Sequence, residues 1–156
     1  MLKLSVLSSM YTLTLFSLHT LLLITLSYLS YVDWQTRRIP DKATLILLAL
    51  AILWIYLKQQ SFEQHLLIGG LGFTLFFVLR KIFTSMKGTV ALGWGDVKLF
   101  SVLCVFLSPG QFATFCICSG ALGLLTSIFW KKEPPFPFAP AISLAFLITF
   151  WLKFPF

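Results

Sequence analysis

Residues 18–33 read Leu-His-Thr-Leu-Leu-Leu-Ile-Thr-Leu-Ser-Tyr-Leu-Ser-Tyr-Val-Asp. They complete an apolar run from Leu4 to Val32 that holds no Asp, Glu, Lys or Arg until Asp33 closes it. A helix crosses the hydrocarbon core of a bilayer with about 20 apolar residues, so this run spans. It exceeds the roughly 7–15-residue core of a signal peptide, and no small-x-small cleavage site precedes Asp33. It reads as a retained first membrane helix. Five further apolar runs follow: Ala43 to Leu57, Leu66 to Leu79, Val97 to Leu107, Phe112 to Trp130 and Phe138 to Leu152.

Composition agrees. The chain is 58% hydrophobic and 11% charged, with a mean hydropathy of +0.92; soluble domains carry about 25% charged residues. The expected fold is all-α: one membrane-embedded domain over residues 1–156 with six transmembrane helices. The fourth run is too short to span alone. It borrows residues 89–92, or it begins below the membrane surface with Asp96 in a water-filled recess, where Gly93 and Gly95 allow a bent approach.

The net charge of +7 does not point to nucleic acid, because the basic residues are scattered at helix ends and form no dense stripe. Arg37, Arg38 and Lys42 fall between runs one and two, and Arg80, Lys81, Lys87 and Lys98 between three and four. Lys131 and Lys132 fall between five and six. That is nine of the twelve, against Lys3, Lys58 and Lys153 on the other side. The positive-inside rule puts the nine in the cytoplasm and both termini outside. It also brings Asp33 and Asp96 to the same cytoplasmic depth. The other acids, Asp41, Glu63 and Glu133, lie in loops.

A carboxylate at the edge of a membrane helix is costly and marks a functional site by default. Two sharing a site cannot both ionise easily, so the pair holds one proton. One member can then activate water while the other protonates a carbonyl or leaving group. The plain alternative is that each acid pairs with a nearby base, Asp33 with Arg37 and Asp96 with Lys98 or Lys87.

The surroundings carry further detail. In Gly93-Trp94-Gly95-Asp96-Val97-Lys98 the glycines permit a tight turn or a close backbone approach. Asp96 sits near the start of the fourth helix, where the dipole favours a carboxylate; an ordinary N-cap aspartate is the alternative. In Asp33-Trp34-Gln35-Thr36-Arg37-Arg38-Ile39-Pro40-Asp41, Pro40 starts the second helix and disfavours helix at Ile39, so the first helix ends between Asp33 and Ile39. Ser27 and Ser30 make a polar stripe towards Asp33 if that face turns inward. Lys98 tunes the acid pair, holds a substrate carbonyl, or snorkels to the headgroups. Four prolines between Pro134 and Pro140 force an extended lead into the last span. That segment is either a stiff connector or an edge to which a peptide adds as a strand. Cys104, Cys116 and Cys118 lack zinc spacing, and His19 and His65 stand alone. No metal or other cofactor is expected. Gly69-Gly70-Leu71-Gly72 lies within a span and suits close helix packing.

Taken together, these elements resemble the bacterial type IV prepilin leader peptidases, of the Gly-x-Gly-Asp class of membrane aspartic peptidases. The resemblance rests on Asp33 followed by Arg37-Arg38-Ile39-Pro40-Asp41, on Gly93 through Leu99, and on Pro-Phe-Ala-Pro at 137–140, where Ala139 replaces a more usual glycine. It implies that Asp33 and Asp96 are the catalytic pair, supported by Gly93, Gly95, Lys98, Arg38 and Pro40. Pro137, Phe138 and Pro140 would admit the substrate. It further implies a prepilin or pseudopilin as substrate, the inner (cytoplasmic) membrane as location, and an active site facing the cytoplasm. Longer relatives carry an N-terminal cytoplasmic insertion with paired Cys-x-x-Cys motifs and also N-methylate the released pilin. Their absence here implies a peptidase without methyltransferase activity. The competing reading is a non-catalytic polytopic subunit, an assembly factor or transporter component, which needs no acids at a common depth.

Overall fold

The computed structural model of the chain describes residues 2–87, 92–129 and 137–152. Among them are six helices and no strand: α1 (Leu2–Thr36), α2 (Asp41–Leu57), α3 (Phe62–Lys87), α4 (Trp94–Cys104), α5 (Pro109–Phe129) and α6 (Ala139–Leu152). Each expected apolar run falls on one helix. Three stretches, Met10–Thr36, Phe62–Met86 and Pro109–Phe129, are long and apolar enough to cross a membrane, and Ala139–Trp151 is a shorter apolar helix.

α1 continues past Val32, so Asp33 lies in its last turn. The helix stops where Arg37 takes a left-handed conformation (φ 54°), with its N–H bonded to the Asp33 carbonyl at 2.9 Å. Left-handed residues commonly end helices, usually as glycine. Pro40 then caps α2 in an extended conformation. Its carbonyl accepts the Ala43 and Thr44 N–H groups at 3.1 and 3.3 Å. α2 ends in the same manner, with Gln59 left-handed (φ 51°) and the Gln60 N–H reaching the Ile55 carbonyl at 3.1 Å.

α4 has 11 residues, about 16 Å of helix against a hydrocarbon core of about 30 Å. It is packed within the bundle, touching α2, α3 and α6, and Val97, Leu99, Phe100, Leu103 and Cys104 are fully buried. Around it the helices close a ring in which α2 meets α1, α1 meets α6, α6 meets α5 and α5 meets α3. A chain of aromatic contacts crosses the bundle. Phe76 stacks on Phe100 at 3.7 Å, Phe100 on Phe115 at 4.6 Å, and Phe115 meets the edge of Phe146 at 6.2 Å.

The outer faces of the long helices are apolar and exposed, as at Phe16, Ile24, Leu67, Leu71, Ile117 and Ile128. In lipid such faces gain nothing by meeting one another, so packing rests on close van der Waals approach and interhelical hydrogen bonds. Gly69 and Gly72 supply the approach of α3 to α4: a Cβ on Gly72 would lie 2.6 Å from the Cys104 sulfur, and one on Gly69 would lie 2.5 Å from Val105. Ser101 adds a hydroxyl bond to the Gly69 carbonyl at 2.9 Å. Buried His65 joins the far ends of the same helices, its Nδ1 2.9 Å from the Val105 carbonyl and its Nε2 2.6 Å from Gln60 Oε1. The inward face of α1 is Leu22, Leu26, Leu29 and Asp33. Ser27 is exposed and Ser30 half-buried, so leucines, not the serine stripe, lead to the acid.

Gly70 lies one position from this contact with open space around it. Gly70→Ala should therefore gain up to about 1 kcal/mol from helix propensity. Gly72→Ala should lose about 1–3 kcal/mol by overpacking. Thermal unfolding in detergent reads both, with the midpoint rising for Gly70→Ala and falling for Gly72→Ala.

Candidate active site

Asp33 projects from the last turn of α1 into the bundle and is buried. Its Oδ2 accepts the Ala139 N–H at 2.9 Å, with a second backbone contribution from Phe138. Ala139 is the first residue of α6. The first N–H groups of a helix have no partner within it, and its dipole places partial positive charge there. The carboxylate of one helix therefore caps another. Phe138, just before α6, packs its ring against Gly123 of α5, where a Cβ would run into it.

Asp96 is the third residue of α4, after the cap residue Gly93. Its Oδ2 accepts the Gly93 N–H at 3.0 Å, the acidic half of a capping box. This differs from an N-cap aspartate, and it leaves Oδ1 free to point elsewhere. That oxygen is buried and has no protein partner among the described residues. Such an orphan costs about 1–3 kcal/mol and is uncommon unless the group serves a purpose. Asp33, at the end of α1, is the charged group whose field reaches Asp96 at the start of α4.

Neither acid forms an ion pair among the described residues. Arg37 and Arg38 are exposed in the α1–α2 turn. Lys98 turns to Asp41, with Nζ 2.8 Å from Oδ1. At about 100° per residue, Lys98 points some 200° around α4 from Asp96, which takes it away from the acid pair and towards α2.

The motifs lock together around these acids. A Cβ on Gly95 would lie 2.8 Å from the Ile39 Cβ, so glycine is required there for the close approach of α4 to the α1–α2 turn. Gly93 is extended (φ −71°, ψ 155°), a conformation open to any residue. Arg80 of α3 holds the lead into α4: its Nε donates to the Leu92 carbonyl at 3.0 Å, and its guanidinium lies 4.5 Å above the Trp94 ring. Pro137 is buried, and Phe138 and Pro140 are half-buried beside the Asp33 contact; residues 134–136 lie outside the described residues. Among the described residues no three His, Cys, Asp or Glu side chains gather as a metal site would need.

Three participants were not visible from sequence. The Ala139 amide is a backbone group, and its only signal was the start of a helix at Phe-Ala-Pro. Asp41 was visible as part of its motif but not as the partner of Lys98. Arg80 gave no signal, because nothing local ties a basic residue of one helix to the indole of the next.

Residues 20–128 match the model of the Type IV leader peptidase family. The chain is 29% identical over 132 residues to the prepilin leader peptidase/N-methyltransferase of Dichelobacter nodosus, a match covering 81% of this chain and 45% of that protein. It is 27% identical over 127 residues to the type 4 prepilin-like proteins leader peptide-processing enzyme of Escherichia coli, covering 80% and 47%. With the prepilin leader peptidase/N-methyltransferase of Haemophilus influenzae it shares 27% over 137 residues, covering 86% and 60%. The chain thus spans about half the length of the curated relatives it matches. No solved structure matches. With a family match over most of its length and apolar spans around a pair of acids, this multi-pass membrane chain belongs to the type IV leader peptidase family.

Proposed function

We propose that the chain is a membrane aspartic endopeptidase that removes the leader from type IV prepilins or pilin-like secretion subunits on the cytoplasmic side of the bacterial inner membrane. The observation that carries the reading is the buried Asp96 Oδ1, which has no protein partner among the described residues and lies within reach of the Asp33 charge. The relatives' names support the substrate class. The orientation is supported by the basic residues: Arg37, Arg38 and Lys42 lie in the α1–α2 turn and the start of α2, just after Asp33, and Lys98 lies two residues after Asp96.

Chemistry follows from two carboxyl groups that hold one proton. The ionised carboxylate takes a proton from water as its oxygen attacks the scissile carbonyl carbon. The protonated carboxyl gives its proton to the carbonyl oxygen. When the tetrahedral species collapses, the C–N bond breaks. The first group passes its proton to the leaving nitrogen, and the second recovers one from the diol. This mechanism is hydrolysis alone, and the reading assigns no methyl transfer to these residues.

Asp33→Asn and Asp96→Asn should each abolish leader removal from a co-expressed prepilin, read by mass in isolated membranes, while the protein accumulates as wild type. Full cleavage by either variant would sink the acid pair. The wild-type product should carry an unmethylated N-terminus. Gly123→Ala pushes on Phe138 and so on the amide that holds Asp33. Displacement of about 1 Å at a reacting group costs about 100-fold, and a loss of that order in kcat is expected. Gly120→Ala, on the same helix with nothing near its Cβ, should leave kcat unchanged.

A further inference from the structure

α2 and α3 barely touch, and α4 lies behind the gap. The gap is a cavity of about 370 Å³, within the ~300–1,000 Å³ range of ligand sites. Asp41 and Lys98 stand at one end, near the starts of α2 and α4. Leu45, Leu48, Phe73 and Val102 line the remainder. Two further polar residues on the wall, Thr44 and Ser101, already give their hydroxyls to the Pro40 and Gly69 carbonyls at 3.4 and 2.9 Å. The cavity therefore has a mouth with one positive and one negative charge, and an apolar body. Leu45 and Phe73 on its rim are exposed, on helices whose outer faces suit lipid.

We propose that this cavity binds one phospholipid with an ethanolamine headgroup: the phosphate on Lys98, the ammonium on Asp41, and an acyl chain along Leu45, Leu48, Phe73 and Val102. The Lys98–Asp41 pair is 46% and 71% exposed, and exposed pairs contribute little, so opening it costs little. Two charge-assisted hydrogen bonds replace it. Phosphatidylcholine carries no N–H to give Asp41, and phosphatidylglycerol carries no cation at all. A peptide substrate is disfavoured as occupant because the cavity lies across α4 from Asp96, and neither Asp33 nor Asp96 lines it. This site is independent of the proposed peptidase reaction.

The test is native mass spectrometry of the whole chain, delipidated in detergent and titrated separately with phosphatidylethanolamine, phosphatidylcholine and phosphatidylglycerol. One phosphatidylethanolamine per chain should bind about tenfold more tightly than either other lipid. Lys98→Met and Asp41→Asn should each lose about tenfold, the scale of one hydrogen bond to a charged group. Leu48→Trp, which fills the apolar body, should abolish binding. Lys98→Met, at an exposed position, decides the matter if Leu48→Trp does not accumulate. Equal affinity for the three lipids, or unchanged phosphatidylethanolamine binding in Lys98→Met, overturns the proposal. So does displacement of the lipid, one for one, by the apolar segment of a prepilin.

Discussion

The bond from the Ala139 amide to the Asp33 carboxylate holds this structure's site together. It fastens the end of α1 to the beginning of α6, the two most distant helices in sequence. A carboxylate buried among helices must be satisfied or it destabilises the fold. A helix beginning at that depth must likewise find an acceptor for its first N–H groups. Each need answers the other. The Phe138 ring that precedes the amide is seated on Gly123, so α5 also sets the position of the acid.

The second acid is held by shorter means. Asp96 is fixed by its own helix start through the Gly93 amide. α4 in turn is positioned by Gly95 against Ile39, by Lys98 on Asp41 and by Arg80 bonded to Leu92 and over the Trp94 ring. None of these contacts is strong alone. Together they come from the α1–α2 turn, α2 and α3, and the remaining freedom of α4 is small. The result is asymmetric, with one acid bonded to the start of another helix and the other keeping a buried oxygen without a protein partner among the described residues.

Much of this was legible in the residues. Apolar runs located all six helices, and for α1, α3 and α5 their length matches what the bilayer thickness demands. Pro40 marked the start of α2, and Asp33 and Asp96 stood out as charges without an ordinary reason to be there. The direction of side chains around a helix was less legible. Ser27 could face inward or stand as an ordinary helix serine, and it is exposed, because Leu22, Leu26 and Leu29 set the buried face. Lys98 is close to Asp96 in sequence and turns the other way, which only helix phase relative to α2 decides. The glycines had the same ambiguity: Gly95 is needed for contact with Ile39, whereas Gly93 has an ordinary backbone conformation and a Cβ there would lie 3.1 Å from the Asp96 Oδ2.

The brevity of α4 has a consequence for biogenesis. Long apolar helices such as α1, α3 and α5 can enter the membrane one at a time, each stable by itself. An 11-residue helix beginning with a carboxylate cannot. α4 therefore takes its place only after its neighbours have gathered, and α6, which anchors Asp33, follows it in the chain. A partly inserted protein has one acid without the other. The bond that fixes Asp33 is thereby tied to the completion of assembly.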